Sequence, residues 1–283
     1  VTNDYGCGTS SSILDYNLKN VIVVSPNNWK HLIGLNEDLF FVGHDFLLYM
    51  WDTEEKVNMW KSHKGLKLVW CFERIQAIKK EWYDKSFYSL NMLRKFCDEI
   101  YCCDEDDADN LGYKWLPQWG SKRFFDQRSM FVKKEKILFS GQAGHPEYKY
   151  RNDLLRNLNS DKDICRVFEI TNTSRNLSWD GFIDNMLSYR TILNPIGTMR
   201  ALNTRAYETI YSGRVLLQQK FGKYNRHESM LSNHDNVIFF NDYEDLKKII
   251  EKRTFQSIKT NAEKAYQQNN IYARFKSIGV EIS

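Results

Sequence analysis

The sequence predicts an α/β protein built as two parallel-sheet domains, and three observations carry that prediction. Short apolar runs of strand length alternate with amphipathic stretches of helical period through most of the chain. The alternation breaks once, at Lys114 to Asp126, where KWLPQWGSKRFFD holds a Pro, a Gly and bulky aromatics without a period, and then restarts. A length of 283 residues suits two ordinary domains, since a single core rarely grows beyond ~250 residues.

In the first half, Val21 to Val24, Leu39 to Val42, Leu66 to Phe72 and Glu99 to Cys103 read as strands. Between the last two, Phe87, Leu90, Leu93 and Phe96 share one face of a helix over Tyr83 to Phe96, the β-α-β rhythm of a parallel sheet. The aperiodic aromatic stretch reads as a packed crossing, with the domain boundary near residue 130. The second half gives a strand at Lys136 to Ser140, a loop at Gly141 to Gly144 and a helix at Tyr150 to Leu158. A strand at Arg166 to Ile170, a helix at Trp179 to Leu187 and a strand at Tyr189 to Leu193 follow, then Val237 to Phe240 as strand and Tyr243 to Glu251 as helix. Two Rossmann-like domains result, residues 1–130 and 131–258, with a helical tail over 259–283 expected to pack back on the first.

Composition narrows the function class. Hydrophobic residues at 42% and charged residues at 27% belong to a globular chain, and no run of about 18 apolar residues is present to span a membrane, so a cytoplasmic protein is expected. A net charge of +4 fits an anionic substrate and falls short of a dedicated nucleic-acid binder. The six cysteines are irregularly spaced and read as small apolar groups rather than a zinc site.

The segment Ala201 to Gln219 carries the strongest chemical signal. Leu202, Ala206, Ile210 and Tyr211 recur at helical spacing, Gly213 suits the helix stop, and Val215 to Leu217 begin a strand. Pro195 and Gly197 lie upstream, so the helix is expected to start near residues 201–203, beside Asn203, with unpaired N–H groups facing the loop. Arg200 and Arg205 add planar forks suited to phosphate oxygens. Glu208, on the same face as Arg205, cannot hold phosphate and suits the two hydroxyls of a ribose. An ordinary i,i+3 surface pair between Arg205 and Glu208 is the competing reading.

The order CDEIYCCDEDDADNLGYKWLPQWGSKRFF, KILFSGQAGHPEYKYRNDLL and NPIGTMRALNTRAYETIYSGRVLLQQ resembles the GT-B glycosyltransferases of the spore-coat maturation (CgeB-like) family, within the wider group 1 transferases, over roughly residues 66 to 275. Leu68 to Glu73 looks like the family's Trp-bearing strand; Arg205, Glu208, Ser212 and Gly213 match its C-terminal pattern; Tyr272 and Arg274 match its tail. The resemblance implies two Rossmann-like domains facing each other across a cleft, the second binding a nucleotide-diphosphate sugar, UDP-sugar foremost, with no cofactor required. By the same likeness Gly141, Gln142 and Arg151 would approach the donor, and Glu169 to Asn172 would lie beside the base. Arg200 stands eight positions before Glu208, where many retaining relatives of the wider fold carry Glu, which favours a diphosphate contact there and leaves the stereochemistry open.

Glycosyl transfer needs charge stabilisation on the departing diphosphate and, for inversion, a base for the acceptor hydroxyl. His44, Asp45 and Glu73 follow expected strands and are the candidates for that base, with a structural loop histidine as the alternative for His44. Gly6 to Ser12 reads as a flexible acceptor-side loop. The run Asp104-Glu105-Asp106-Asp107 reads as a solvated helix start, and its alternative is a divalent-metal site using Asp104 and Asp106. The leading expectation is a metal-independent transferase with a glycan, small-molecule or modified-DNA-base acceptor. The alternatives are a phage-type DNA-base glycosyltransferase, a metal-dependent transferase and an inactive nucleotide-sugar-binding module.

Overall fold

The structure is a computed structural model that describes residues 13, 15–20, 22, 26–42, 53–72, 94–130, 132, 134–144, 146–171, 178–252, 255 and 261–283. The candidates His44, Asp45 and Glu73, the Gly6 to Ser12 loop, Asn172, most of the strand expected at Val21 to Val24, and the helix expected over Tyr83 to Phe96 except its last three residues lie outside the described residues. The chain divides into two compact units, Val1–Gln118 with Val280–Ser283, and Trp119–Gly279.

The first unit holds a four-stranded parallel sheet in the order β1-β2-β3-β4, formed by Leu39–Val42, Lys67–Cys71, Glu99–Cys102 and Lys114–Trp115. Helix α1 (Glu54–Ser62) starts at Thr53, whose hydroxyl accepts from the Lys56 amide, and buries Met59 and Trp60. Trp60, Val69, Cys71, Ile100 and Cys102 form the centre of its core. The cysteines there are free and buried, and burial pushes the Cys97 thiol up to about 12, as expected of thiols acting as apolar filling. The acidic run does open a helix, α2 (Glu105–Leu111), with the Asp104 carboxylate accepting from the Asp106 and Asp107 amides at 2.9 and 3.1 Å. It is not the solvated face expected from its charge: Asp104, Glu105 and Asp107 are buried. No group of side chains suited to hold a metal ion occurs among the described residues.

The unit boundary falls between Gln118 and Trp119 rather than near residue 130. The aromatic stretch is the reason, because Lys114–Trp115 is β4 of the first sheet while the side chains from Trp119 on are core of the second unit. Trp119 is fully buried edge-on to Phe275, Phe124 meets Trp179 and Phe182, and Phe125 stacks on Tyr266 at 4.2 Å. A short helix, α3 (Lys122–Asp126), forms within it, capped by Ser121.

The second unit holds five parallel strands in the order β6-β5-β7-β8-β9, where β5 is Lys134–Ser140, β6 Phe168–Thr171, β7 Tyr189–Asn194, β8 Val215–Gln219 and β9 Val237–Phe240. Short apolar runs, Ile137–Phe139, Ile192–Leu193 and Val215–Leu217, sit in the centre of the sheet because both of its faces are covered. Ile137, Phe139, Leu193 and Leu217 pack with Leu154 and Leu158 of α4 (Lys149–Ser160) and Leu246 of α8 (Tyr243–Lys252). The alternate set, Leu138, Ile192 and Leu216, is equally buried and faces the other way, where α5 (Trp179–Leu187) and α6 (Thr204–Tyr211) pack on β7. Helix α7 (Arg226–Leu231) precedes β9.

The tail forms α9 (Ala262–Asn269) and α10 (Ile271–Ser277), and α9 lies against α6 inside this unit. The tail is therefore part of the second unit up to Gly279, and only Val280–Ser283 join the first. Polar bonds fix it there. The Tyr211 hydroxyl donates to the Asn269 carbonyl, and Arg274 donates to Asn269 Oδ1 at 2.9 Å with its guanidinium over the Tyr207 ring.

Candidate anion-binding site

Strand order reverses once in the second sheet. From β5 the chain crosses to β6 on one side and to β7 on the other. In parallel α/β sheets such a reversal opens a crevice at the carboxyl ends of the two strands. Gly141 follows the end of β5, Asn194 ends β7, and Arg205 reaches both.

Arg205 lies in the first turn of α6, one residue after Thr204, and donates through Nη1 to Asn194 Oδ1 at 3.0 Å. Its other Nη is so close to Gly141 that a Cβ there would have to push it aside. Arg151 lies in the first turn of α4, 6% exposed, and donates through Nη1 to the Gln142 carbonyl at 3.0 Å. It lies over the Tyr148 ring at 4.2 Å, and a Cβ on Gly197 would come within 2.8 Å of its Nη2. The two guanidiniums share Phe139, at 5.7 Å (Arg151) and 5.4 Å (Arg205) from its ring centre.

The electrostatics of this pair are unfavourable in isolation. Burial, then the charge of Arg151, pull the Arg205 guanidinium down to about 9, and burial likewise lowers Arg151. Neither makes an ion pair with a carboxylate among the described residues, and the Nε of each is buried without a hydrogen bond. Both side chains leave the first turns of helices that have no acidic residue in that turn and no side-chain cap. A cation there opposes the helix dipole by roughly 0.3–1 kcal/mol, whereas an anion would be favoured by both dipoles and both guanidiniums.

The remaining sequence candidates divide. Asn203 occupies the N-cap of α6 with its Oδ1 buried and without a hydrogen bond. Gln142 contributes its carbonyl rather than its side chain to Arg151. Arg200, on the loop before α6, faces the Tyr150 ring at 6.0 Å. Glu208 is 1% exposed, with its backbone and Cγ against Gly120, so it is no member of a surface pair; its charge favours that of Arg205. Glu169 lies apart from this group. Its carboxylate is taken by Lys134 at 2.9 Å and held low by the Tyr189 hydroxyl and Lys134, residues that begin β5 and β7 at the amino end of the sheet.

Phe139, Tyr148, Asn194 and Gln218 belong to the site and were not expected in it. An asparagine closing the buried strand run YRTILN is the one such signal in the sequence, since a buried amide needs partners.

No family model matches the chain, and no curated protein matches its sequence. Among solved structures, the chain is similar to sucrose-phosphate synthase from Thermosynechococcus elongatus, with a TM-score of 0.52 and 8% identity over 89% of this chain and 74% of that one. It is also similar to AviGT4, a glycosyltransferase involved in avilamycin A biosynthesis, with a TM-score of 0.50 and 10% identity over 80% of this chain and 76% of that one. These likenesses, with the two parallel α/β units, show a GT-B fold.

Proposed function

We propose that this chain is a glycosyltransferase whose second unit binds a nucleotide-diphosphate sugar, UDP-sugar foremost, at the carboxyl ends of β5 and β7. The observation that carries the proposal is the pair Arg151 and Arg205, two guanidiniums around one phenyl ring, whose hydrogen-bond partners among the described residues are neutral oxygens. A diphosphate supplies the charge this pair lacks, and its oxygen pairs suit the planar bidentate fork of a guanidinium. Sucrose-phosphate synthase and the avilamycin enzyme, which share the fold, support sugar transfer as the reaction class. The closer kinship with the CgeB-like family belongs to the same proposal.

In the reaction the bond between the anomeric carbon and the donor phosphate oxygen breaks as the acceptor oxygen bonds to that carbon. Negative charge develops on the departing diphosphate, where Arg151, Arg205 and the uncapped start of α6 would stabilise it. These groups take the role a divalent metal plays in other transferases, so turnover is expected to withstand chelator. The acceptor is assigned to the first unit, with His44, Asp45 and Glu73 as candidates to take its proton. Glu208 remains the candidate for the ribose, which requires Gly120 to move off it.

Purified protein incubated with UDP-, GDP- and TDP-sugars should release the matching nucleotide from at least one donor, and that nucleotide should raise the melting temperature. No release and no thermal shift with any of the three would remove the proposal. Nucleotide binding without turnover would leave a sugar-nucleotide-binding module in its place.

A further inference from the structure

Asn194 and Gln218 face each other across β7 and β8 in register, and both are buried. Their amides form a chain of bonds with one direction. Arg205 Nη1 donates to Asn194 Oδ1 at 3.0 Å, Asn194 Nδ2 donates to Gln218 Oε1 at 2.7 Å, and Gln218 Nε2 donates to the Gln219 carbonyl at 2.7 Å. Arginine only donates and a carbonyl only accepts, so both ends fix which way each amide points. A carboxylate at position 194 would hold Arg205 as well and would also cancel its charge. An amide orients the guanidinium and leaves the charge intact.

We propose that Asn194 is a positioning residue for anion binding, which with Gln218 behind it aims Arg205 at the incoming diphosphate without neutralising it. The inference rests on the diphosphate reading of the site. In Asn194→Asp the new carboxylate pairs with Arg205 and meets the Gln218 oxygen, so the anion faces one fewer net positive charge.

The test is calorimetric titration of wild type, Asn194→Asp and Arg205→Met with inorganic pyrophosphate at low and high KCl, with melting curves of each. Asn194→Asp is expected to bind about tenfold or more weakly and to show a flatter dependence on KCl, because fewer charges are there to be screened. A merely structural asparagine would alter the melting curve without altering the salt dependence. Binding by folded Asn194→Asp within about twofold of wild type and with the same salt dependence overturns the proposal, provided Arg205→Met loses binding. Wild-type binding by Arg205→Met would instead overturn the diphosphate reading itself. Should Asn194→Asp not fold, Gln218→Met decides: it removes the acceptor behind Asn194 without adding charge, and undiminished pyrophosphate affinity in it overturns the relay.

Discussion

Replacing Arg151 by methionine separates a binding arginine from a structural one. The Arg151 and Arg205 guanidiniums lie 5.7 and 5.4 Å from the same ring centre, so their charges are at most about 11 Å apart. At an effective dielectric near 20 that upper-bound separation gives a repulsion of at least about 1.5 kcal/mol, which the partial exposure of Arg205 screens to about 1 kcal/mol or more. Arg151→Met relieves this repulsion and the desolvation of a buried charge. It loses the bond to the Gln142 carbonyl and the contact with Tyr148, together about 2 kcal/mol. The opposing terms leave the ligand-free protein within about 1–2 kcal/mol of wild type, a melting-temperature change of a few degrees for a unit of this size.

Binding behaves differently. One charge-assisted bond to phosphate is worth about 1.5–3 kcal/mol, so the dissociation constant for UDP or pyrophosphate should rise roughly 10- to 150-fold. Titration calorimetry with melting curves on the same samples measures both quantities. Unchanged affinity with an intact fold would refute the reasoning, and so would a fall in the ligand-free melting temperature of more than ~10 °C, because Arg151 would then be a strut of the core.

Gly141→Ala should push the Arg205 side chain off its seat and weaken pyrophosphate binding by at least about tenfold, with circular dichroism unchanged. Asp161 is held well below the usual carboxylate range by Lys247, then by the Tyr243 hydroxyl, which join α8 to the end of α4. A depressed carboxylate contributes stability above its unfolded value near 3.9, and that contribution is lost as pH falls from there toward its lower folded value; Asp161→Asn should therefore flatten the fall in melting temperature from about pH 4 downward. Arg214→Met should lower the melting temperature by several degrees, since its guanidinium donates to the carbonyls of Arg128, Met130, Leu187 and Ser212, and should leave the pyrophosphate dissociation constant unchanged.

Much of the second unit could be read from residue periods. Trp179–Leu187 and Val237–Phe240 form over the residues expected, and Thr204–Tyr211 starts one residue beyond the expected Asn203. These elements have one dominant period each, so local sequence determines them. Lys122–Asp126 was hidden because aromatic side chains surround it on several sides and erase the amphipathic pattern. The site divides in the same way. Arg205 could be singled out as a cation at a helix start and Arg151 only through the family likeness, but their shared contact with Phe139 is a tertiary fact. Glu169 was expected beside the base by the family likeness, yet Lys134 and Tyr189 draw its carboxylate toward the amino end of the sheet. The Asn194–Gln218 bond depends on the register of β7 with β8, which neither strand encodes alone.

Arg214 supplies the internal control for reading Arg151 and Arg205 as ligand-binding groups. Arg151 and Arg214 are buried and Arg205 is partly so, all three have lowered pKa values with burial as the main cause, and none has a carboxylate partner among the described residues. Arg214, however, spends its two Nη groups on four backbone carbonyls, a cage that replaces the water it lost. Among the described residues, Arg151 and Arg205 each give one bond to a neutral oxygen and hold the rest of a five-donor fork in reserve. A buried cation with unspent donors is costly to the fold unless something else completes it. Two such cations, at two uncapped helix starts and at the reversal point of a parallel sheet, would be completed together by the ligand proposed above, one with two adjacent anionic centres.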